Sequence, residues 1–339
     1  MPNNEETLAK LAQISTQVRH LRNLIDLGYT SRTLEEKKRA GYLVRIRRGW
    51  YVPAEYWRTL HAEDRQLALA HVIRSEANTS PLFSHYTAAA LHGLPLDDRL
   101  EASAHVIILP QNAGNASRGM KRHRMRLEPS EITRVGPYFC TTPERTILDI
   151  ALTAPAPLAL SVADAYLHDN CCVDRRIDEA SVAEWRDRLS SRAAAIAGQR
   201  GVQTARWIAA FADPRAESPL ESVSRYHLDR LGIRVSLQVP VPARVSGNYF
   251  LDFEFEGLGI FGECDGKHKY TDPALLGGKT AAERVYAEKR RDDWVMATTQ
   301  KRSIHWGWPD VDTTRHFGLQ LQAFGVPLPK KGLLLLGQA

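Results

Sequence analysis

A stretch in the last third of the chain alternates apolar and acidic residues with the two-residue period of a β-strand. Asp252 and Glu254 would share one face of a first strand, with an apolar face opposite them. A Glu-Gly pair then indicates a turn, and the same alternation places Glu263 and Asp265 on one face of a second strand. The pattern predicts a hairpin that brings two pairs of carboxylates close together.

These carboxylates would repel one another unless a cation lay between them, and a hard divalent ion with oxygen ligands would relieve that repulsion. The alternative is a solvated polar face on an edge hairpin. A further carboxylate, Glu221, precedes Leu228 and Leu231 by seven and ten residues, so it lies on the core-directed stripe of a predicted helix. Because an unpaired buried carboxylate is costly, Glu221 is either a ligand or charge relay, or a cap or salt-bridge partner near the helix start.

The N-terminal segment has a second regular pattern. Residues 21–27 predict a short amphipathic helix that ends at Gly28, and residues 30–40 predict a second helix. Residues 42–53 then predict two short strands that turn at Arg48. Helix, tight turn, helix and hairpin together predict a winged helix-turn-helix domain.

This segment is strongly basic between residues 32 and 48, where seven basic side chains face two acidic ones. A helix of this kind can enter the major groove of DNA while the basic wing lies along the phosphates. The alternative is a small structural domain with a solvated basic face. The predicted DNA-binding residues of this segment are Arg32, Lys37, Lys38, Arg39, Arg45, Arg47 and Arg48.

The following segment contains three motifs, SHYTAAALHGLPL at 84–96, HVIILP at 105–110 and VGPYFCTTPERTILDIA at 135–151. They resemble successive signatures of the abortive-infection (AbiEi-like) type IV antitoxin regulators, in which a small α/β domain follows the winged helix. His85 and His92 lie seven residues apart on the predicted Ala-rich helix, so packing or capping is favoured over catalysis.

The C-terminal acidic pattern resembles the PD-(D/E)XK nuclease superfamily, and more closely its very-short-patch-repair (Vsr)-like branch. The resemblance rests on SPLES at 218–222, the acidic hairpin, EKRRDDWV at 288–295 and SIHWGWPDV at 303–311. Asp265 stands where the superfamily has a Lys. The stabilising amine would therefore come from another lysine, namely Lys267, Lys269 or Lys289, or be absent.

The resemblance implies phosphodiester hydrolysis with Mg²⁺ or Mn²⁺ as cofactor. The implied metal ligands are Asp252, Glu263, the backbone carbonyl of Cys264, and Asp265. The implied catalytic residues are Glu221, Asp252, Glu263, Asp265, Lys267 and His268. Further predicted DNA contacts on the basic helix are Lys289, Arg290 and Arg291.

The predicted fold class is multidomain α/β. Its four parts are a winged helix-turn-helix DNA-binding domain at 1–60, a small AbiEi-like α/β domain at 61–155, a helical connector at 156–213, and a Vsr-like, restriction-endonuclease-like α/β domain with a mixed central sheet at 214–339.

Composition narrows the class of partner. A formal net charge of +6 favours a polyanion. The four cysteines lack metal-ligand spacing and are interpreted as reduced. The N-terminus lacks an apolar signal core and no apolar run approaches a membrane span, so a cytoplasmic protein without a membrane partner is expected. The partners compatible with this interpretation are DNA, a second copy of the chain in a homodimer, and a toxin or another defence-system protein.

The sequence leaves the function open between two classes. The main hypothesis is a DNA-binding, divalent-metal-dependent endonuclease that acts in defence or DNA repair. The alternative is a DNA-binding transcriptional regulator or antitoxin with an inactive nuclease-like domain; the missing Lys favours it, whereas the acidic constellation opposes it. An RNA-targeting toxin nuclease is a third hypothesis, because metal-dependent hydrolysis does not by itself select the sugar.

Overall fold

The computed structural model describes residues 4–108, 119–265 and 281–338 of the chain. At residues 281, 282, 284 and 285 it describes the backbone only. The chain divides into two compact units, the first formed by residues 1–173 and 178–212 and the second by residues 174–177 and 213–339. Both units contain helices and sheets, which confirms the predicted multidomain α/β class. The finer division of the first unit into three domains stays a prediction.

The elements of the first unit alternate between helices and short strands. They are α1 (Asn4–Gln17), β1 (Arg19–His20), α2 (Leu21–Asp26), α3 (Ser31–Arg39), β2 (Leu43–Arg47), β3 (Trp50–Pro53), α4 (Ala54–Thr59), α5 (Ala62–Glu76), β4 (Leu82–Phe83), α6 (His85–Leu91), β5 (Ala104–Ile108), β6 (Met120–Arg124), β7 (Ile132–Val135), β8 (Tyr138–Thr141), α7 (Pro143–Thr153), α8 (Ala156–Cys171), β9 (Cys172–Val173), α9 (Glu179–Ala195) and α10 (Val202–Phe211).

The N-terminal elements follow the predicted order. Gly28 has φ +85, a left-handed conformation that favours glycine, and it ends the α2 region. Thr30 caps α3, because its hydroxyl accepts a hydrogen bond from the Thr33 amide. The hairpin of β2 and β3 joins β1 in a three-stranded sheet of order β1-β3-β2, and Leu34 and Tyr51 lie in its small core.

The larger sheet of the first unit has the order β6-β5-β4-β8-β7. It is mixed, because β4 runs parallel to β8 and antiparallel to β5. Helices α5 and α6 pack on each other, and Leu67, Phe83 and Leu91 are fully buried among them and the sheet. The AbiEi-like segment therefore forms one layer of sheet under a helical layer.

The predicted connector is helical, as expected, and it packs within the first unit. Helix α10 lies against α7, α8 and α9, and Trp185 and Ile208 are buried there. Helices α9 and α10 are separated at Gly201, which has φ +83 and lies so close to the Leu152 backbone that an added Cβ would overlap it. The three helices of the predicted connector, α8, α9 and α10, are therefore part of the packed first unit and do not form an unpacked linker.

The second unit has one sheet and a group of helices. Its elements are β10 (Arg176–Ile177), α11 (Pro219–Leu231), β11 (Val235–Pro242), β12 (Asn248–Phe255), β13 (Ile260–Cys264), α12 (Ala281–Thr299), β14 (Arg302–Trp306), α13 (Thr314–Ala323) and α14 (Lys330–Leu336). The sheet order is β11-β12-β13-β14, antiparallel through β13 and parallel between β13 and β14.

The main core of this unit surrounds Trp306. Its indole lies 5.5 Å from the Phe253 ring and 5.2 Å from the Phe317 ring, measured between centroids. Gly262 lies beneath it, because an added Cβ there would overlap the indole. The core therefore fixes how closely β13 and β14 approach each other.

The apolar face predicted opposite Asp252 is divided between two clusters. Phe253 packs in the core around Trp306, whereas Leu251 packs with Phe261 and Val295 in a separate cluster. The regular register of β11 and β12 omits Asp252, and Gln238 on the neighbouring strand has φ +49. Regular alternation is interrupted at this point of the sheet.

Candidate functional site

Two groups of predicted site residues can be located, a basic surface in the first unit and an acidic cluster in the second. On the basic surface Arg32, Lys37, Arg39, Arg45 and Arg48 are exposed, and Lys38 is half-buried. Arg32 pairs with Glu36 at 3.0 Å and Lys38 pairs with Glu35 at 2.6 Å, both along α3. Ion pairs at the surface contribute little to the free energy of folding, so these basic side chains can leave their carboxylate partners and bind phosphates instead.

Arg47, which the sequence groups with the other wing arginines, lies in a different environment. Its Nε is 2.6 Å from Glu76 Oε2, and its side chain is 12% exposed. Glu76 Oε1 also accepts a hydrogen bond from the Trp50 indole at 2.9 Å. Arg47 therefore holds the hairpin to the end of α5, whereas Arg45 and Arg48 have no ion pair with any described residue.

In the second unit, Asp252 lies at the centre of the acidic cluster. Its Oδ2 accepts a hydrogen bond from the Cys264 amide at 2.7 Å, which fixes the carboxylate at the end of β13. Gln238 Nε2 lies 3.0 Å from Glu221 Oε2 and 3.5 Å from Asp252 Oδ1. The Gln238 amide therefore lies between two carboxylates that would otherwise repel each other.

Glu221 combines two of the roles that the sequence left open. It is 4% exposed, and its carboxylate accepts hydrogen bonds from the Ser218 hydroxyl at 2.8 Å and from the Glu217 amide at 3.1 Å, near the start of α11. Burial and then the charge of Asp252 raise the pKa of Glu221 to about 7. Glu221 thus caps the helix and also belongs to the acidic cluster.

Glu263 lies on the other side of Asp252 and is 6% exposed. Arg291 Nη2 approaches Glu263 Oε1 at 3.0 Å and also donates to the Phe250 carbonyl at 2.8 Å. Burial and then Asp252 raise the pKa of Glu263 to about 8, although Arg291 acts in the opposite direction. Arg291 was predicted to bind DNA, and here it neutralises a predicted metal ligand.

Asp265 and Glu254 are directed to other partners. Asp265 Oδ2 lies 3.0 Å from His305 Nδ1, and His305 Nε2 lies 3.3 Å from Asp292. Hydrogen bonds to Asp265 and Asp292 raise the pKa of His305 to about 10. Glu254 forms an ion pair with Lys301. Of the four hairpin carboxylates, Asp252 and Glu263 are the two that share one electrostatic environment.

The remaining predicted residues of this site divide into two sets. Lys267 and His268, with the alternative amine Lys269, lie outside the described residues. Lys289 and Arg290 are exposed on α12, and Arg290 lies 6.0 Å from the centre of the Tyr286 ring.

Sequence reasoning did not find three residues of this site. They are Gln238 and His305, described above, and Arg175, whose guanidinium contacts Gln238 Oε1 at 2.7 Å and the Phe250 ring at 4.1 Å. Arg175 precedes α11 by a long stretch of sequence, and no local pattern marks it. The signal available in β11 was a glutamine flanked by two apolar residues, Leu237 and Val239.

Two general expectations can also be compared with the structure. The four cysteines are free thiols, as expected. Across the described part of the chain, no helix has both the length and the apolar character needed to cross a membrane.

One family model and two relatives match parts of this chain. Residues 82–199 match the family model of the AbiEi antitoxin C-terminal domain, which confirms the AbiEi-like part of the resemblance and extends it through the predicted connector. The uncharacterized proteins MT2308 and Rv2248 of Mycobacterium tuberculosis, from strains CDC 1551 and H37Rv, are each 29% identical over 196 residues. The match spans 57% of this chain and 66% of the length of each relative, so it leaves a third of each relative uncovered.

Proposed function

We propose that this protein is a DNA-binding regulator of the AbiEi antitoxin type. The observation that carries the proposal is the geometry of the N-terminal segment: two helices joined by a tight, capped turn and followed by a hairpin with exposed Arg45 and Arg48. These are the parts of a winged helix-turn-helix domain. The match of residues 82–199 to an antitoxin domain supports the same function.

In this proposal α3 enters the major groove of duplex DNA and the hairpin of β2 and β3 is the wing. Arg32, Lys37 and Arg39 would extend from α3 toward the phosphates or base edges, while Arg45 and Arg48 would contact the backbone. Each phosphate contact releases counterions and makes the affinity fall with salt. A toxin or another defence-system protein is the proposed protein partner, and a homodimer is compatible with a two-fold symmetric operator.

A binding experiment with the full chain tests this function. Fluorescence anisotropy would compare duplex DNA from the protein's own upstream region with a shuffled duplex of equal length and with single-stranded DNA. We expect tighter binding to the upstream duplex and a steep dependence on salt. Equal, weak binding to all three at low salt would rule out the regulator.

Metal-dependent phosphodiester hydrolysis is a second candidate, favoured by one specific observation. Glu221, Asp252 and Glu263 form an acidic cluster in which both glutamates are buried, and Asp252 and Glu263 lie on adjacent strands of a sheet in which a helix precedes β14. The chain order of acidic helix, acidic hairpin, basic helix and last strand is the one on which the Vsr-like resemblance rests.

The donor set fits a hard divalent cation. Carboxylate oxygens of Asp252 and Glu263, with the Cys264 carbonyl, would hold Mg²⁺ or Mn²⁺. Burial and then the charge of Asp252 raise the pKa of Glu263 even though Arg291 lies beside it, so a divalent cation would stabilise its ionised form. Such an ion, when bound, would supply an activated water and offset charge on the phosphate. The Cys264 amide fixes the orientation of Asp252, which would be one metal ligand. Asp265 instead pairs with His305, so its carboxylate is directed away from the proposed metal site.

A cleavage assay separates the two candidates. Supercoiled DNA, linear DNA and RNA would each be incubated with the full chain and Mg²⁺, Mn²⁺ or EDTA. A nuclease gives metal-dependent products that Asp252→Asn abolishes, with DNA binding unchanged. DNA binding without cleavage of any of the three substrates would support the regulator hypothesis and rule out the nuclease hypothesis.

A further inference from the structure

Three histidines of the first unit converge in the AbiEi-like segment. His85 begins α6, His105 lies in β5 and His123 lies in the parallel strand β6. Each ring offers a nitrogen within 4.8 Å of a nitrogen of the other two. Among the described residues, these three histidines are the group of potential metal-ligating side chains whose ligand atoms lie this close together. The elements that carry them are separated in sequence, so the fold has brought the rings together.

The polar atoms of this cluster are incompletely paired. His105 Nδ1 lies 3.1 Å from His123 Nε2, whereas His105 Nε2 is buried and has no hydrogen-bond partner among the described residues. His105 is 4% exposed and His85 is 2% exposed. An unpaired buried nitrogen is costly, so a purely structural packing of these rings leaves a penalty unexplained.

The backbone at His85 is also unusual. Its φ is +48, a left-handed conformation that is unfavourable for a non-glycine residue and that occurs preferentially at functional sites. The His85 Nδ1 lies 3.0 Å from Ser84 Oγ. If Nδ1 donates to that hydroxyl, the lone pair of Nε2 remains available, which is the arrangement that orients histidine ligands in metal sites.

All three rings are in the protonation state that binds metals. Burial, as the first cause, lowers the pKa of His85 to about 2, of His105 to about 3 and of His123 to about 4. The imidazoles are therefore neutral at physiological pH, although the charge of Lys121 beside His105 and His123 acts against a cation.

We propose that His85, His105 and His123 form a binding site for a first-row transition-metal cation of the Zn²⁺ class. Neutral imidazole is a ligand that suits zinc, copper, nickel and iron, and one nitrogen of each ring lies within 4.8 Å of a nitrogen of the other two, which is close enough for one small ion after a small movement of the rings. The His85 and His123 rings stack at 3.6 Å with 15° between their planes, so binding requires one ring to turn. The ion would replace that stack and join the start of α6 to β5 and β6.

The test uses the untagged full chain, stripped with a chelator and titrated with Zn²⁺ by calorimetry and with Co²⁺ by visible absorption. We expect one equivalent at this site, and an X-ray absorption spectrum with imidazole nitrogens at about 2.0–2.1 Å from the metal. His123→Gln should raise the Kd for Zn²⁺ at least about 100-fold, and Ser84→Ala about 10-fold.

Two control variants separate this site from the rest of the chain. His316→Gln and His61→Gln each remove an exposed histidine that pairs with a carboxylate, Asp312 and Asp98 respectively; both should leave the Co²⁺ spectrum unchanged. Retention of full affinity in folded His123→Gln would overturn the proposal. If that variant does not fold, an absorption spectrum of the wild type without imidazole ligands would overturn it instead.

Discussion

Glu76 Oε2 lies 2.6 Å from Arg47 Nε, and the same carboxylate accepts a hydrogen bond from the Trp50 indole. One of three neighbouring wing arginines is thereby bound inside the first unit. The other two, Arg45 and Arg48, are exposed. Residues of identical chemistry in one short hairpin therefore have different expected roles.

Replacement of the two exposed wing arginines should weaken DNA binding. In the variant Arg45→Ala/Arg48→Ala, the slope of log K against log salt should decrease by about 0.9 for each phosphate that the wing no longer neutralises. Anisotropy titrations at several salt concentrations measure this slope, with melting temperature as a check on folding. An unchanged slope would contradict the proposed role of the wing.

Replacement of the buried arginine should affect stability first. Arg47→Ala leaves Glu76 without its cation, so we expect the free energy of unfolding to fall by about 1 kcal/mol. Its salt slope for DNA should stay near that of the wild type. Urea unfolding and the same anisotropy titration measure the two effects, and a decrease in slope equal to that of a phosphate-binding arginine would refute this assignment.

The acidic cluster should make the second unit less stable as pH rises. The pKa of Glu221 and of Glu263 is raised from 4.5 to about 7 and about 8, so the folded state holds protons that the unfolded state has released. Stability should therefore fall between pH 4.5 and about 8. The pKa of His305, raised to about 10, adds a loss of stability from pH 6.5 upward.

Glu263→Gln should flatten this profile, because the amide cannot titrate. The free energy of unfolding would be followed by hydrogen exchange at the amides of β12 and β13 in the full chain. Glu256→Gln, a change at an exposed carboxylate beside Arg234, serves as the matched control. A profile for Glu263→Gln that is parallel to the wild type would show that Glu263 is not the titrating group.

Mn²⁺ should stabilise the protein more at pH 8 than at pH 6. Deprotonation of Glu221 and Glu263 adds negative charge beside Asp252. A bound cation then adds RT ln(1 + [L]/Kd), about 2.7 kcal/mol at a hundredfold excess over Kd. Thermal melts with and without Mn²⁺ measure the shift. Asp252→Asn should remove it and His123→Gln should retain it; the reverse result would place the Mn²⁺ elsewhere.

Gly262→Ala should destabilise the second unit. The new methyl group would overlap the Trp306 indole and lie 3.0 Å from Phe255 Cε2, and overpacking of this kind costs about 1–3 kcal/mol. A double-mutant cycle with Trp306→Phe tests the cause, because the smaller ring should make the two effects less than additive. Strict additivity would mean that the indole is not the obstacle.

Local patterns predicted the fold well where the determinants lie close together in sequence. The tight turn at Gly28, the Thr30 cap and the hairpin of β2 and β3 follow from adjacent residues with strong backbone preferences. The hairpin of β12 and β13 follows from alternation in the same way. What alternation could not predict is the interruption at Gln238, because that residue conforms to neighbours on α11 and β12 rather than to its own strand.

The candidate site could be predicted in residue type but only partly in arrangement. Asp252 and Glu263 lie near each other as predicted, whereas Asp265 pairs with His305 from a strand that follows much later in the chain. The partner of Arg47, Glu76, is likewise 29 residues away in sequence. Ion pairs of this kind depend on tertiary placement, for which a single sequence contains no periodic signal.

The assignment of residues 174–177 to the second unit has a consequence for the order of events during synthesis. Both flanking segments belong to the first unit, yet Arg175 contacts Glu217, Gln238 and Phe250, all of which leave the ribosome later. The first unit is complete in sequence at Ala212. Strands β11 and β12, which contain two of the residues that Arg175 contacts, are synthesised only after that point. A nascent chain would therefore expose this arginine until β11 and β12 are made, and the acidic cluster would be completed only afterwards, when Glu263 on β13 follows.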